Sequence, residues 1–181
     1  MIRAAQPKDV SQLADILADS FHSPHGIKRW AYPLLRLGIY EDLRSRLRST
    51  SPNYLCLVAV ASTPAQAGSP EYLAGTVEMT LRSSLSWQLR GSQYPYISNL
   101  AVHSSYRRQG VAQQLLISCE RTALEWGFQD IYLHVLENND QARKLYIKRG
   151  YHLQQVDPDW SHWLFNQPRR LFLHKQLTAS R

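Results

Sequence analysis

The segment Arg107-Arg108-Gln109-Gly110-Val111-Ala112 sets two guanidinium groups, a glycine and a small residue where a turn passes into an apolar repeat of helical period. The first backbone N–H groups of a helix have no carbonyl one turn behind them and carry the positive end of its dipole, so they can hold a phosphate or pyrophosphate. Gly110 and Ala112 are small enough to let such a group approach. The same pattern also fits an ordinary basic helix start, because short combinations of Arg and Gly are common. A second candidate lies downstream in Ile131-Tyr132-Leu133-His134-Val135. Strand alternation puts His134 on one face with Tyr132 and Leu136, while Ile131, Leu133 and Val135 take the other. A histidine, with an ordinary pKa of about 6.5, is matched to proton transfer near neutral pH. A lone strand histidine is also a common structural residue.

The elements that must position these residues follow from periodicity. Met1 to Ala5 reads as a short strand, and Pro7-Lys8-Asp9 starts a helix with Val10, Leu13, Ile16, Leu17 and Phe21 at helical spacing. Ser20 to Gly26 reads as a loop, and Trp30 to Leu47 as a second helix with arginines on its wet side and Pro33 in its first turn. Tyr54 to Ala61 and Tyr72 to Leu81 are strand-like runs joined by Ser62 to Pro70, a flexible hairpin connection. A third run, Tyr96 to Val102, begins after Pro95, which cannot donate to a ladder. From Gly110, the stripe Ala112, Leu115, Leu116, Cys119, Ala123 and Trp126 marks a helix that Gly127 ends. Ile131 to Leu136 is the next strand. Asn139 caps a helix through Arg149, Gly150 stops it, and Tyr151 to Val156 and Leu171 to Leu177 complete the sheet. The order is β-α-α-β-β-β-α-β-α-β-β. It predicts an α/β fold with a mixed, mostly antiparallel seven-stranded sheet covered by helices on both faces, and one parallel pair flanking the helix from Gly110.

A chain of 181 residues suits a single domain over 1–181. Its net charge of +7 favours anionic partners. No Asp or Glu lies between Glu78 and Glu120, where Arg82, Arg90, Arg107 and Arg108 cluster, so an anion site is expected there. Two cysteines, Cys56 and Cys119, make no disulfide framework, and no apolar run is long enough to span a bilayer. A soluble protein of a reducing, cytoplasmic compartment is expected, with no membrane partner. The seven histidines are scattered, and His22 with His25 lacks acidic or thiol neighbours, so no metal site is expected. Cys119 belongs to an apolar stripe and reads as buried rather than as an acyl-accepting nucleophile.

Arg107, Gly110 and Ala112 match the coenzyme A loop of the GCN5-related N-acetyltransferase (GNAT) superfamily, which reads Arg or Gln, two residues, Gly, one residue, then Gly or Ala. Ile97-Ser98-Asn99-Leu100-Ala101-Val102 resembles that family's fourth strand, and Asn138-Asn139, Ala142, Leu145-Tyr146 and Gly150-Tyr151 resemble the region after its fifth. The resemblance implies acetyl-CoA as co-substrate. Leu100, Ala101 and Val102 would supply main-chain contacts to the thioester and pantetheine, and Arg107 belongs to the same loop. Arg108, Gln109, Gly110, Val111, Ala112 and Gln113 would wrap the pyrophosphate, with Asn139 and Tyr146 approaching from the next helix. In similar N-terminal protein acetyltransferases the position of His134 holds a base, and the tyrosine twelve residues later, here Tyr146, is the acid that meets the leaving sulfur. Some also hold a catalytic water with a fourth-strand tyrosine, at the position of Tyr96. Tyr96, His134 and Tyr146 thus resemble the set in enzymes of the ribosomal-protein alanine type, and the whole chain resembles cyanobacterial and plastid GNATs. Without the resemblance, Tyr96 and Tyr146 also read as core aromatics.

What this implies is transfer of acetyl to a protein N-terminal α-amine or a lysine ε-amine by direct attack in a ternary complex, by a monomer or homodimer. The alternatives are a small-molecule amine acetyltransferase and a non-catalytic acetyl-CoA sensor. A polyamine acceptor suits a basic chain poorly. No nucleic-acid motif or platform of interleaved aromatic and basic residues appears, so nucleic acid is not an expected partner. Acceptor recognition is expected from Ser20 to Pro33 and from Asp157 to Pro168, where Trp160, Trp163 and Phe165 either line a peptide groove or cover the sheet. The latter loop lacks the paired tyrosines that some N-terminal acetyltransferases carry there.

Overall fold

The computed structural model describes residues 1–21, 32–49, 53–61, 71–83, 93–157 and 168–178. Its elements are β1 (Ile2–Ala4), a 3-10 turn (Pro7–Asp9), α1 (Val10–Phe21), α2 (Tyr32–Arg48), β2 (Tyr54–Val60), β3 (Leu73–Ser83) and β4 (Gln93–Val102). A second 3-10 turn (Ser104–Tyr106), α3 (Val111–Glu125), β5 (Asp130–Leu136), α4 (Asp140–Lys148), β6 (His152–Val156) and β7 (Arg170–Gln176) follow. The order of strands and helices is the expected one, and the strands form a seven-stranded mixed sheet in the order β1-β2-β3-β4-β5-β7-β6. Packing divides the chain into two compact units, Met1–Glu78 with Asn99–Ser118, and Met79–Ser98 with Cys119–Arg181. No helix among the described residues is long and apolar enough to cross a membrane.

In the first unit, the apolar stripe of α1 (Val10, Leu13, Ala14, Ile16, Leu17) packs with Leu43 of α2, Cys56 and Val58 of β2, Leu73 and Ala101. Each fully buried leucine contributes about 1.5–3 kcal/mol, and this is what fixes α1 and α2 on their strands. The start of α1 is set by Asp9, whose carboxylate accepts from the Gln6 backbone N–H at 2.7 Å and from Arg3 Nη1 at 2.7 Å. β1 lies antiparallel to β2, with Ile2 opposite Ala59 and Ala4 opposite Leu57. One expectation needs correction here. The loop expected from Ser20 begins later: Ser20 is in the last turn of α1, where its hydroxyl donates to the Ile16 carbonyl at 2.8 Å. Arg46 lies on the wet side of α2 as expected, paired with Asp42 at 2.7 Å, and its Nη1 also donates to the buried Glu78 at 2.9 Å.

In the second unit, β4 pairs with β5 in parallel through Tyr96 opposite Tyr132 and Ile97 opposite Leu133. β5 pairs antiparallel with β7 along its whole length, from Asp130 opposite Gln176 to Leu136 opposite Arg170. β6 pairs with the other side of β7, with a register shift between Leu153 and Gln155. Strand alternation holds as expected: Ile131, Leu133 and Val135 are buried, while Tyr132 and His134 are half-buried on the opposite face. β4 begins before Tyr96 and includes Pro95, which the ladder tolerates because the pairing with β5 starts one residue later. The end of α4 is tied down by Glu120, which accepts from Arg149 Nη2 at 2.8 Å and pairs with Lys175 at 2.8 Å.

Candidate functional site

In the first unit, the candidate region is the end of β4 with the turn into α3. Asn99 adopts a left-handed backbone (φ 52) in the middle of the strand, a conformation that asparagine tolerates better than most residues. Its amide Nδ2 donates to Glu78 Oε1 at 3.0 Å, so a carboxylate only 1% exposed holds both Asn99 and Arg46. Beside this break, Gly75 of β3 faces Ala101 and Val102. A Cβ there would lie 2.8 Å from the Ala101 carbonyl oxygen and 3.1 Å from Val111 Cγ1, so only glycine lets these backbones come together. Sequence reading passed over both Glu78 and Gly75. Their signal was a lone carboxylate and a lone glycine inside an apolar strand, each of which normally costs stability.

Past Val102, His103 caps the Ser104–Tyr106 turn by accepting from the Ser105 N–H at 3.3 Å. Arg107 folds back, its Nε donating to the Val102 carbonyl at 3.2 Å, so it braces the turn on the strand. Arg108 (φ 64) and Gly110 (φ 80) are both left-handed. Successive N–H groups in such a turn converge into an anion-binding concavity. The space where a Gly110 side chain would stand is open to 4 Å. The carbonyl of Gly110 receives the N–H of Gln114 at 3.0 Å, which leaves the amides of Val111, Ala112 and Gln113 as the unpaired first donors of α3. Arg108, Gln109 and Gly110 are exposed beside them. The residues present therefore suit a pyrophosphate.

In the second unit, a separate cluster gathers Tyr96, His134 and Asp157. The Tyr96 hydroxyl is 2.8 Å from His134 Nδ1. His134 Nε2 is 3.3 Å from Asp157 Oδ1 and 3.2 Å from its Oδ2. Arg82 lies over the Tyr96 ring, 3.5 Å from its centroid, and Arg170 Nε is 3.8 Å from Asp157 Oδ2. The Phe172 ring packs against that of His134 at 4.7 Å, and Tyr132 stacks between Phe172 and His174. Burial lowers the pKa of His134 from its ordinary 6.5; Arg170 and Arg82 push the same way and Asp157 opposes. The imidazole is thus a neutral proton acceptor at pH 7. Burial raises the pKa of Tyr96 against the pull of Arg82 and Arg170.

Tyr146 of α4 is buried against Tyr151, the rings meeting edge to face at 5.8 Å. Burial raises its pKa, and Tyr96 adds to the shift, so its phenol stays protonated and can donate a hydrogen bond. Asn139 caps α4 as expected, its Oδ1 accepting from the Ala142 N–H at 3.2 Å, which leaves only its Nδ2 for another partner. Asp157 and Arg170 were not singled out from sequence, since neither has a local pattern that points to His134. His22, His25, Trp160, Trp163 and Phe165, together with most of both expected acceptor loops, lie outside the described residues. Cys119 and Cys56 are buried. Among the described residues, no group of three or more His, Cys, Asp or Glu side chains could hold a metal ion.

Residues 11–151 match the model of the acetyltransferase (GNAT) family. The chain is 28% identical over 175 residues to GCN5-related N-acetyltransferase 10, chloroplastic, of Arabidopsis thaliana, a match covering 94% of this chain and 68% of that protein. Solved structures also share the fold. PaiA N-acetyltransferase from Thermoplasma acidophilum, crystallised with coenzyme A, superposes with a TM-score of 0.71 at 18% identity, covering 97% of this chain and 98% of the other. The ribosomal-protein-alanine N-acetyltransferase of Brucella melitensis gives 0.67 at 19% identity, covering 98% and 99%. The matched span includes β4, the glycine turn, His134 and Tyr146, and the chain belongs to the acetyltransferase (GNAT) family as an N-acetyltransferase that uses acetyl-CoA.

Proposed function

We propose that this enzyme is a single GNAT domain that acetylates protein amines, N-terminal α-amines and lysine ε-amines, by direct attack in a ternary complex. The observation that carries the reading is the 2.8 Å contact between Tyr96 and a His134 that burial keeps neutral. An ammonium has no lone pair, so an amine must lose a proton before it can attack. At pH 7 about a tenth of an α-amine, but well under a thousandth of a lysine side chain, is already neutral. A neutral imidazole is therefore useful for the first acceptor and required for the second.

Acetyl-CoA supplies the electrophilic acetyl thioester. The amides of Arg108 to Gln113 hold its pyrophosphate, and the main chain of Leu100 to Val102 orients the acyl arm. Asn139 contributes its remaining amide N–H groups. His134 receives the amine's proton, and Tyr146 donates its phenolic proton to the departing sulfur. Asp157 is already shared between His134 and Arg170, and Arg82 and Arg170 stand beside Tyr96. These charges favour a neutral or acidic peptide over a polyamine, which would need free carboxylates around it. The two buried thiols suit a reducing, cytoplasmic setting.

The test is an acetylation panel of α-amine peptides, lysine peptides, polyamines and other small amines, paired with mass-spectrometric lists of acetylated N-termini and lysines in cells with and without the protein. Peptide turnover well above that of any small amine is expected. Efficient acetylation of a small amine with inert peptides would replace this reading by a metabolite acetyltransferase.

A further inference from the structure

His134 has two ring nitrogens, and both are occupied. Nε2 faces the Asp157 carboxylate at 3.2 and 3.3 Å. An ionised carboxylate can only accept, so Nε2 carries the hydrogen. Nδ1 is then the bare nitrogen, and it accepts the O–H of Tyr96 at 2.8 Å. The basic lone pair of His134 is therefore covered by a phenol, and no ring nitrogen is left for an amine or a water. This differs from an arrangement in which the tyrosine merely helps to hold a water for the histidine.

We infer that Tyr96 is the group that takes the proton from the acceptor amine, handing its own to His134 Nδ1, and that Asp157 is the positioning residue that fixes the histidine for this exchange. The inference rests on the acetyltransferase reading above. In the step, an ammonium N–H bond breaks as a new O–H bond forms on Tyr96, while the original Tyr96 O–H bond breaks as an N–H bond forms on Nδ1. The net result is a neutral amine and an imidazolium, and the imidazolium returns its proton to solvent by the reverse path after turnover. Asp157 stabilises the imidazolium through Nε2–H, as a carboxylate does for histidine in the serine protease triad.

The neighbours suit this role. Arg82 of β3 faces the Tyr96 ring at 3.5 Å and Arg170 of β7 lies 3.8 Å from Asp157. Both guanidinium groups favour a tyrosine oxygen with anionic character, and both keep the resting imidazole uncharged. Asp157 acts in the opposite sense on His134, so the histidine stays basic enough to receive the proton. Phe172 at 4.7 Å covers the imidazole and holds its plane.

The test compares wild-type enzyme with Tyr96→Phe, His134→Ala, the double variant and Asp157→Asn, each checked for native fold by circular dichroism and for acetyl-CoA affinity by calorimetry. Tyr96→Phe is expected to lower kcat on the best peptide about 100-fold or more, within the range of general acid–base catalysis. It should lower kcat as far as His134→Ala does, with no further loss in the double variant because the two act as one unit. Asp157→Asn is expected to move the acid limb of kcat/KM to lower pH, a change that a merely structural role would not produce. Long-range proton–nitrogen NMR of free wild-type enzyme should show His134 with its hydrogen on Nε2. A Tyr96→Phe enzyme that keeps more than about a tenth of wild-type kcat, an Nδ1–H tautomer, or an unmoved acid limb overturns the relay while the acetyltransferase reading stands. Wild-type enzyme that acetylates no amine sinks both.

Discussion

Asn99 Nδ2 donates to Glu78 Oε1 at 3.0 Å, and Asn99 is where β4 turns left-handed. The bond ties a side chain of β3 to the one residue whose backbone must leave the extended conformation for β4 to change course. Because Glu78 also receives Arg46 of α2, one buried carboxylate sets the position of a helix and of the strand that leads to the glycine turn.

Replacing this carboxylate by an amide turns one acceptor oxygen into a donor that faces another donor. Glu78→Gln is therefore expected to lose about 2 kcal/mol of stability, the usual worth of a buried hydrogen bond to a charged group. Urea denaturation measures it. Asn99→Gly, which adopts positive φ freely, should be milder than Asn99→Val, which is branched at Cβ and strained there. Equal losses for the two would show that the backbone conformation of Asn99 is unimportant.

Gly75 predicts an effect on binding. The Cβ of an alanine would press on the Ala101 carbonyl and on Val111, which are backbone and a core side chain with little room to yield. The segment from Ala101 to Val111 must shift, and with it the amides assigned to the pyrophosphate. Gly75→Ala is expected to weaken acetyl-CoA binding about tenfold, or 1.4 kcal/mol, by calorimetry. Gly38 in α2 is the control, since nothing lies within 4 Å of its Cβ position, and Gly38→Ala should stabilise the protein by up to about 1 kcal/mol without touching affinity.

The contrast between those glycines shows what the sequence could and could not disclose. The apolar period of α3, the alternation in β5, the Asn139 cap and the turn at Gly110 are local patterns, and each has a local cause that can be read residue by residue. Gly75, Glu78 and Asp157 owe their roles to Ala101, Asn99 and His134, which lie 26, 21 and 23 residues away and which only the folded chain brings near. Arg46 shows the same limit: its helical position is that of a solvated residue, and only the fold shows that its long side chain also reaches a buried charge. His134 was legible as a strand residue facing away from the core. That its two nitrogens meet a tyrosine and a carboxylate was not.

Asp9 gives a prediction about acid stability. Burial alone would raise its pKa, but the hydrogen bonds from Arg3 and the Gln6 backbone outweigh burial and lower it from the ordinary 3.8. A carboxyl with a lower pKa in the folded state binds its proton more weakly there than in the unfolded chain. Its stabilisation is thus complete above about pH 4 and is lost as pH falls through the folded-state value. Asp9→Asn should be less stable than wild type at pH 7, and the gap should narrow steadily below about pH 4 in thermal unfolding. A gap that is constant with pH would mean that packing, not charge, makes the difference.

The pH dependence of catalysis is the sharpest check on His134. Its pKa lies below 6.5, so the base is free at a pH where an amine acceptor is still an ammonium. An enzyme that removes the proton itself should give a kcat/KM plateau that starts below pH 6.5 and ends near the pKa of the acceptor, about 8 for an α-amine. Without the base, only amine that is already neutral can react. His134→Ala should then show kcat/KM rising with pH all the way to the pKa of the amine, with a loss of about 100-fold at pH 7. Adding lysine peptides separates the cases further, because their neutral fraction at pH 7 is about two orders of magnitude smaller than that of an α-amine. Wild-type and His134→Ala profiles of the same shape would show that the amine sheds its proton to solvent and that the histidine serves the fold alone.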